Sequence, residues 1–270
     1  MSDRPTSGAP LVVTARDGAV VTLTVNRPDA RNALDGPTVD ALTAAFDAID
    51  NDASVHCAIL TGAGDRAFVA GADIKAMAGL DRAGGLAFAE RGHRMADLME
   101  ALRVPVVAAV NGFALGAGLE LALACDFIYA ARTAKMGMPE VGLGVIPGFG
   151  GTQRLALRVG VARAREMIYS GVIIDADEAL RIGLCNAVTE PDALMPRVRA
   201  LAARIAGNAP LAVQAAKQTV TPGTLRGPDE PLAAALAVER DQFGALFATQ
   251  DQKEGMRAFV EKRPPAWKGA

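Results

Sequence analysis

Residues 104–131 read VPVVAAVNGFALGAGLELALACDFIYAA. A stretch this long and apolar is long enough to cross a membrane, which takes about 20 such residues. Asn111, Gly112, Gly116, Gly118, Glu120 and Asp126 interrupt it. Glycine and asparagine punctuate turns, so the stretch reads as protein core that turns several times. Its first part, VPVVAAVNG, reads as a buried strand. Glu120 is then an anomaly, because a buried ionised carboxylate needs a partner or a raised pKa.

On either side of this core, strand and helix signals alternate. In AVVTLTVNRP (19–28), Val21, Leu23 and Val25 alternate with threonines, a strand ended by the Asn-Arg-Pro turn. Val39, Leu42, Phe46 and Ile49 fall at helical spacing, with Pro37 suited to the first turn. VHCAILTG (55–62) is a short buried strand, and AFVAGADIKAM a loop feeding a helix start. Phe88, Met95, Leu98, Met99 and Leu102 mark an amphipathic helix. Helix layered on sheet is the expected α/β class. From residue 192 onward the candidates are all helical, and Thr249 stands three residues before Gln252 in a capping-box arrangement. The expected division is 1–191 for the catalytic part and 192–270 for a helical part.

The chain has 270 residues, 51% hydrophobic and 21% charged, with net charge −2. That allows a packed core and disfavours a nucleic-acid surface. The polar N-terminus MSDRPTSGAP has no apolar signal core, so neither export nor membrane insertion is expected. Cys57, Cys125 and Cys185 are odd in number and lack CxxC spacing, which fits a reducing, cytoplasmic setting without disulfides or zinc. With only His56 and His93, a histidine metal site or a Ser-His-Asp triad has little material. No GxGxxG follows a strand, and GxxxxGK[ST] and GxSxG are absent.

Two glutamates lie in apolar, glycine-rich surroundings: Glu120 in GAGLELAL and Glu140 in GMPEVGLGVIPGFGG. If they converge, desolvation fits them for acid and base work. Otherwise Glu120 bonds an amide at a helix start and Glu140 caps a loop. Spacing alone leaves both readings open. The small-residue turns AGAD and LGAGLE could aim backbone N–H groups at one carbonyl oxygen, or merely permit tight packing. GVIPGFGGTQRL (144–155) reads as a structural turn and cap rather than a phosphate loop.

AGADIK (70–75), AAVNGFALGAGLELALACD (108–126) and MPEVGLGVIPGFGGTQRL (138–155) resemble motifs of the crotonase, or enoyl-CoA hydratase/isomerase, superfamily. LTVNRPDARNAL and EGMRAFVEKRPPAW are similar to it as well, so the resemblance spans nearly the whole chain. It implies a crotonase-like spiral of ββα turns with a helical C-terminal region that assembles homotrimers or homohexamers. It also implies an acyl-CoA thioester substrate, with coenzyme A carried by the substrate and no separate cofactor or metal. Mapped by motif, the thioester oxygen falls to the N–H groups of Ala72 and Ala117, and the carboxylates flanking a water to Glu120 and Glu140. Many hydratases have glycine where this chain has Ala117. Substrate contacts map to Arg31, Ala33, Ala70, Ala72, Asp73, Ile74, Lys75, Leu115, Gly116, Ala117, Pro139 and Gly148, with Phe259 and Lys262 reaching from a neighbouring subunit. Both glutamates together imply an enoyl-CoA hydratase. The alternatives are an enoyl-CoA isomerase, a specialised acyl-CoA lyase, or a non-catalytic scaffold or RNA-binding member.

Overall fold

The computed structural model describes residues 9–225 and 232–270, with side chains at all of these except 221–225 and 232–235. A hairpin of β1 (Val12–Asp17) and β2 (Val20–Val25) opens the fold. Strands then come in pairs. β3 (Cys57–Gly62), β5 (Val106–Val110) and β7 (Phe127–Ala131) extend one sheet, while β4 (Ala67–Val69), β6 (Phe113–Leu115) and β8 (Lys135–Gly137) follow them into a second. With β9 (Ile173–Asp175) and β10 (Ala187–Thr189), the sheets run β1-β2-β3-β5-β7-β10 and β4-β6-β8-β9. The pairings are parallel except β1–β2 and β8–β9. Each turn of chain thus lays one strand in each sheet, which is a spiral.

α1 (Gly36–Asp50), α2 (Ile74–Met77) and α3 (Arg82–Ala101) lie in the first turns. α4 (Ala117–Leu123) follows β6, α5 (Gly151–Val159) and α6 (Val161–Ser170) follow β8, and α7 (Ala176–Arg181) follows β9. After β10 come only helices among the described residues: α8 (Pro191–Ala206), α9 (Pro210–Leu225), α10 (Leu232–Leu246) and α11 (Gln250–Glu261).

The central strands are buried on both faces, which explains why they read as unbroken apolar runs. Successive side chains point to opposite faces of a strand. Accordingly Ala58 and Leu60 of β3, with Val106, Ala108 and Val110 of β5, enter the main core. Cys57, Ile59, Val107 and Ala109 enter a second core against Leu194, Val198 and Ala202 of α8. α4 is buried along its whole length. No described helix is long and apolar enough to cross a membrane. Residues 104–131 are mostly buried and form core, as expected.

Two expectations need amendment. AFVAGADIKAM is not all loop, because Ala67–Val69 form β4; three residues are too few to show alternation. The capping box at α11 is half formed. Thr249 Oγ1 accepts the Gln252 N–H at 3.1 Å, but Gln252 Oε1 is buried without a hydrogen-bond partner among the described residues.

Candidate active site

β4, β6 and β8 are consecutive neighbours in the smaller sheet and run parallel. Neighbouring strands lie about 4.8 Å apart. Whatever follows each strand is therefore delivered to one place, at the carboxyl ends where clefts form in such sheets. Ala72 follows β4, Ala117 follows β6 and Glu140 follows β8. Glu120 stands one turn into α4, and helical side chains lean toward the N-terminus, which brings its carboxylate back toward the same place.

The two alanines present N–H groups for different reasons. Leu34 bridges this segment by donating to the Gly71 carbonyl (2.9 Å) and accepting from the Asp73 N–H (2.8 Å). Ala72, between those two, is turned the other way. Ala117 opens α4, where an N–H has no acceptor within the helix. Neither N–H has an acceptor among the described residues. Gly116, just before it, holds φ 50° and ψ −123°, a backbone shape that glycine adopts readily. A Cβ there would lie 2.7 Å from Glu140 Oε1, so the carboxylate rests directly on that residue.

Glu120 is 2% exposed, and its Oε1 accepts the N–H groups of Phe149 (2.8 Å) and Gly151 (2.7 Å). Desolvation pushes its pKa up to about 7, against those N–H groups and with the help of the Glu140 charge. Burial raises Glu140 too. Its Oε2 is buried and has no hydrogen-bond partner among the described residues. An orphaned carboxylate oxygen is expensive unless something fills the space beside it.

These groups line one cleft of about 1030 Å³, together with Ala70, Ile74, Leu115, Pro139 and Gly148. Arg31, Ala33, Asp73, Lys75, Phe259 and Lys262 do not line it. Lys75 is exposed, and Phe259 is 85% exposed on α11. The Asp73 carboxylate is committed elsewhere: it accepts from the Lys75 and Ala76 N–H groups and pairs with Arg27 at 3.1 Å. Desolvation would raise its pKa, but the Arg27 bond and the Ala76 N–H hold it below its usual value.

Sequence reasoning passed over Arg27 and Asn32. Arg27 donates to the Ala33 carbonyl and pairs with Asp35 as well as Asp73. Asn32 is fully buried; its Oδ1 accepts from the Arg27 N–H, and its Nδ2 donates to the carbonyls of Ala63 and Ala67. Together they tie the Asn-Arg-Pro turn to the strand and loop that carry Ala72. Their signal was present, in the motif LTVNRPDARNAL, but their role needs the fold. His93, Phe88 and Phe149 also line the cleft; helical periodicity marked Phe88 only as apolar.

A glutamate pair and two free N–H groups around one cleft can hold an acyl oxygen and move protons beside it. The chain matches the family model described as enoyl-CoA hydratase/isomerase over residues 15–270. This chain belongs to the enoyl-CoA hydratase/isomerase family. It is 47% identical over 252 residues to the crotonyl-CoA hydratase of Syntrophomonas wolfei, covering 93% of this chain and 95% of that one. It is 46% identical, with the same coverage, to the short-chain-enoyl-CoA hydratase of Clostridium acetobutylicum. Among solved structures it superposes on an enoyl-CoA hydratase from Bacillus anthracis with a TM-score of 0.93 at 38% identity, covering 97% of this chain and all of that one. The spiral read from the motifs is thus the fold of this family.

Proposed function

We propose that the protein adds water reversibly across the 2,3-double bond of an enoyl-CoA thioester to give the 3-hydroxyacyl-CoA. The observation that carries this reading is the convergence of Glu120 and Glu140 in one cleft with the N–H groups of Ala72 and Ala117. The names of the two relatives favour a short acyl chain.

In the hydration direction, Glu120 takes a proton from water as the oxygen bonds C3. The π electrons move toward the thioester oxygen, where the Ala72 and Ala117 N–H groups stabilise the developing charge. Glu140 gives its proton to C2, so the pair ends with as many protons as it began. Two neighbouring buried carboxyls resist double ionisation, and a pair holding one proton suits this exchange. Glu120 is the more deeply buried, so the resting proton sits there and crosses to Glu140 through the bound water before each addition. No cofactor is needed beyond the coenzyme A of the substrate. Arg31 and Lys75, with Phe259 and Lys262 of a second copy in a trimer or hexamer, hold its polar parts. A reducing cytoplasm is the proposed setting.

The test is loss of enoyl-thioester ultraviolet absorbance on adding crotonyl-CoA, with products weighed by mass spectrometry. A gain of one water is expected. Each of Glu120→Gln and Glu140→Gln should lower kcat by at least about 10²-fold, the usual scale for an acid/base group. A shifted double bond without mass gain would make the protein an isomerase instead.

A further inference from the structure

The turn that holds Glu120 is itself held by α3, and nothing in the proposed reaction uses that contact. The ring of Phe149 lies flat against Gly92 in the middle of α3; a Cβ at Gly92 would come within 2.1–2.3 Å of three ring atoms. Phe88, one turn earlier, packs on the same ring with centroids 5.1 Å apart. The Phe149 carbonyl is fixed as well, accepting from Arg154 at 2.9 Å, and Arg154 is paired to Asp97 and Glu100 of α3. The same residue thus has its ring and its carbonyl anchored to α3, while its N–H and that of Gly151 hold Glu120 Oε1. Glycine in a helix interior is unfavourable, so Gly92 needs a reason, and room for the ring is one.

We propose that Phe149, seated on Gly92, is a positioning residue for Glu120: the ring anchors the turn whose two N–H groups fix the carboxylate. The proposal rests on the hydratase reading for its consequence in catalysis, but the anchoring itself does not. Besides these N–H groups, Glu120 faces the Glu140 carboxylate across the cleft, with His93 of α3 lining the same cleft and Arg154 of α5 behind the turn.

Gly92→Ala tests it. A methyl group there displaces the ring, and the N–H groups lose alignment with Oε1. An ionised carboxylate that loses donors keeps its proton to higher pH. With crotonyl-CoA, kcat should fall about 10-fold, a scale typical of modest misplacement, with KM little changed. The alkaline limb of the pH–rate profile should move upward. Phe149→Leu in the Gly92→Ala background, where the smaller apolar side chain packs beside the new methyl in place of the ring, should move the limb part of the way back. A fall in kcat with an unmoved limb means a merely structural role and overturns the proposal. So does an unchanged enzyme.

An activity-free readout separates this from the hydratase reading. The difference in melting temperature between the protein and its Glu120→Gln variant, followed against pH, reports the titration of Glu120 in the folded state. That curve should shift to higher pH in Gly92→Ala even if the wild type hydrates nothing, and an unshifted curve overturns the proposal. Should Gly92→Ala not fold, Phe149→Ala must shift the curve the same way.

Discussion

Two acids interrupt the same apolar stretch, and their fates differ for physical reasons. Asp126 stands in the short connection between α4 and β7. Its Oδ2 accepts the Val106 N–H at 2.7 Å and pairs with the buried Lys217 at 3.0 Å, so its charge is matched. Among the described residues Glu120 has no cation; it has backbone N–H groups, a like-charged neighbour and a cleft. That poverty of partners raises its pKa to about 7 from an ordinary 4.5. A carboxyl raised in the folded state contributes stability that is complete below its ordinary pKa and lost as pH rises through about 7. Each unit corresponds to about 1.4 kcal/mol, so ionising Glu120 removes up to about 3 kcal/mol. Glu120→Gln deletes the titration and keeps an oxygen for the Phe149 and Gly151 N–H groups. We expect an inactive variant that melts about 2–6 °C above the wild type at pH 8, the gap closing toward pH 4.5. Calorimetry across that range checks it, and a gap independent of pH would refute it. By the same titration, kcat/KM for crotonyl-CoA should decline as pH rises through about 7, where the pair gives up its last proton. The two readings left open by the sequence prove compatible: Glu120 does bond an amide at a helix start, Gly151 being the first residue of α5, and it also lines the cleft.

At the scale of elements, the site is a product of strand order. Three short parallel strands each release one component, and the N–H of Ala117 is free because α4 begins there. Proline is tolerated at a first helical position and has no N–H. Ala117→Pro should therefore leave the far-ultraviolet dichroism unchanged and lower kcat about 10²–10³-fold, the usual loss for one oxyanion donor. A fully active, folded variant would remove Ala117 from the mechanism. The other donor depends on Arg27, whose side chain is about four-fifths buried and whose guanidinium lies between Asp35 and Asp73. Arg27→Ala leaves both carboxylates unpaired, and we expect a loss of about 1–3 kcal/mol and a lower kcat, since the loop carrying Ala72 is then untied. Denaturant unfolding alongside crotonyl-CoA kinetics tests both, and Arg27→Lys should rescue only part because it lacks the planar fork. In the larger sheet β2, β3 and β5 were legible because five or six apolar or alternating residues suffice for a pattern, whereas β1, β7 and the three-residue β10 were not legible as strands. Nor was β4, at three residues, nor the service of Asn32 and Arg27, whose partners lie up to 46 residues away in the chain. GVIPGFGGTQRL reads correctly as a turn, yet no side chain caps α5, and two of its N–H groups serve a glutamate some 30 residues earlier.

On the scale of the whole molecule, the C-terminal helices leave apolar side chains uncovered. Met256, Phe259 and Val260 are 57%, 85% and 79% exposed, and their spacing puts them on one face of α11. Phe243 of α10 and Phe247, just past its end, are exposed too, their tilted rings 5.1 Å apart between centroids. The opposite face of α11 is well held: Ala258 is buried, and the Asp251 carboxylate takes the N–H groups of Lys268 (2.6 Å) and Gly269 (3.0 Å). Large apolar residues turned outward on a firmly seated helix form a surface on which the proposed trimer or hexamer would place its interface, with a second copy of this chain as the partner. Light scattering should then give a mass several times 27.9 kDa. Phe259→Glu combined with Val260→Lys should reduce that mass without unfolding the subunit, whose two glutamates and two N–H donors all follow β4, β6 and β8 within one chain. If Phe259 and Lys262 reach the cleft of a neighbour, dissociation should raise the KM for crotonyl-CoA while kcat holds to within a few-fold, because the glutamates and both N–H groups belong to one chain. A wild type that scatters as a single chain would dismiss the interface. A dissociated variant with unchanged KM would keep the interface and remove those two residues from substrate binding.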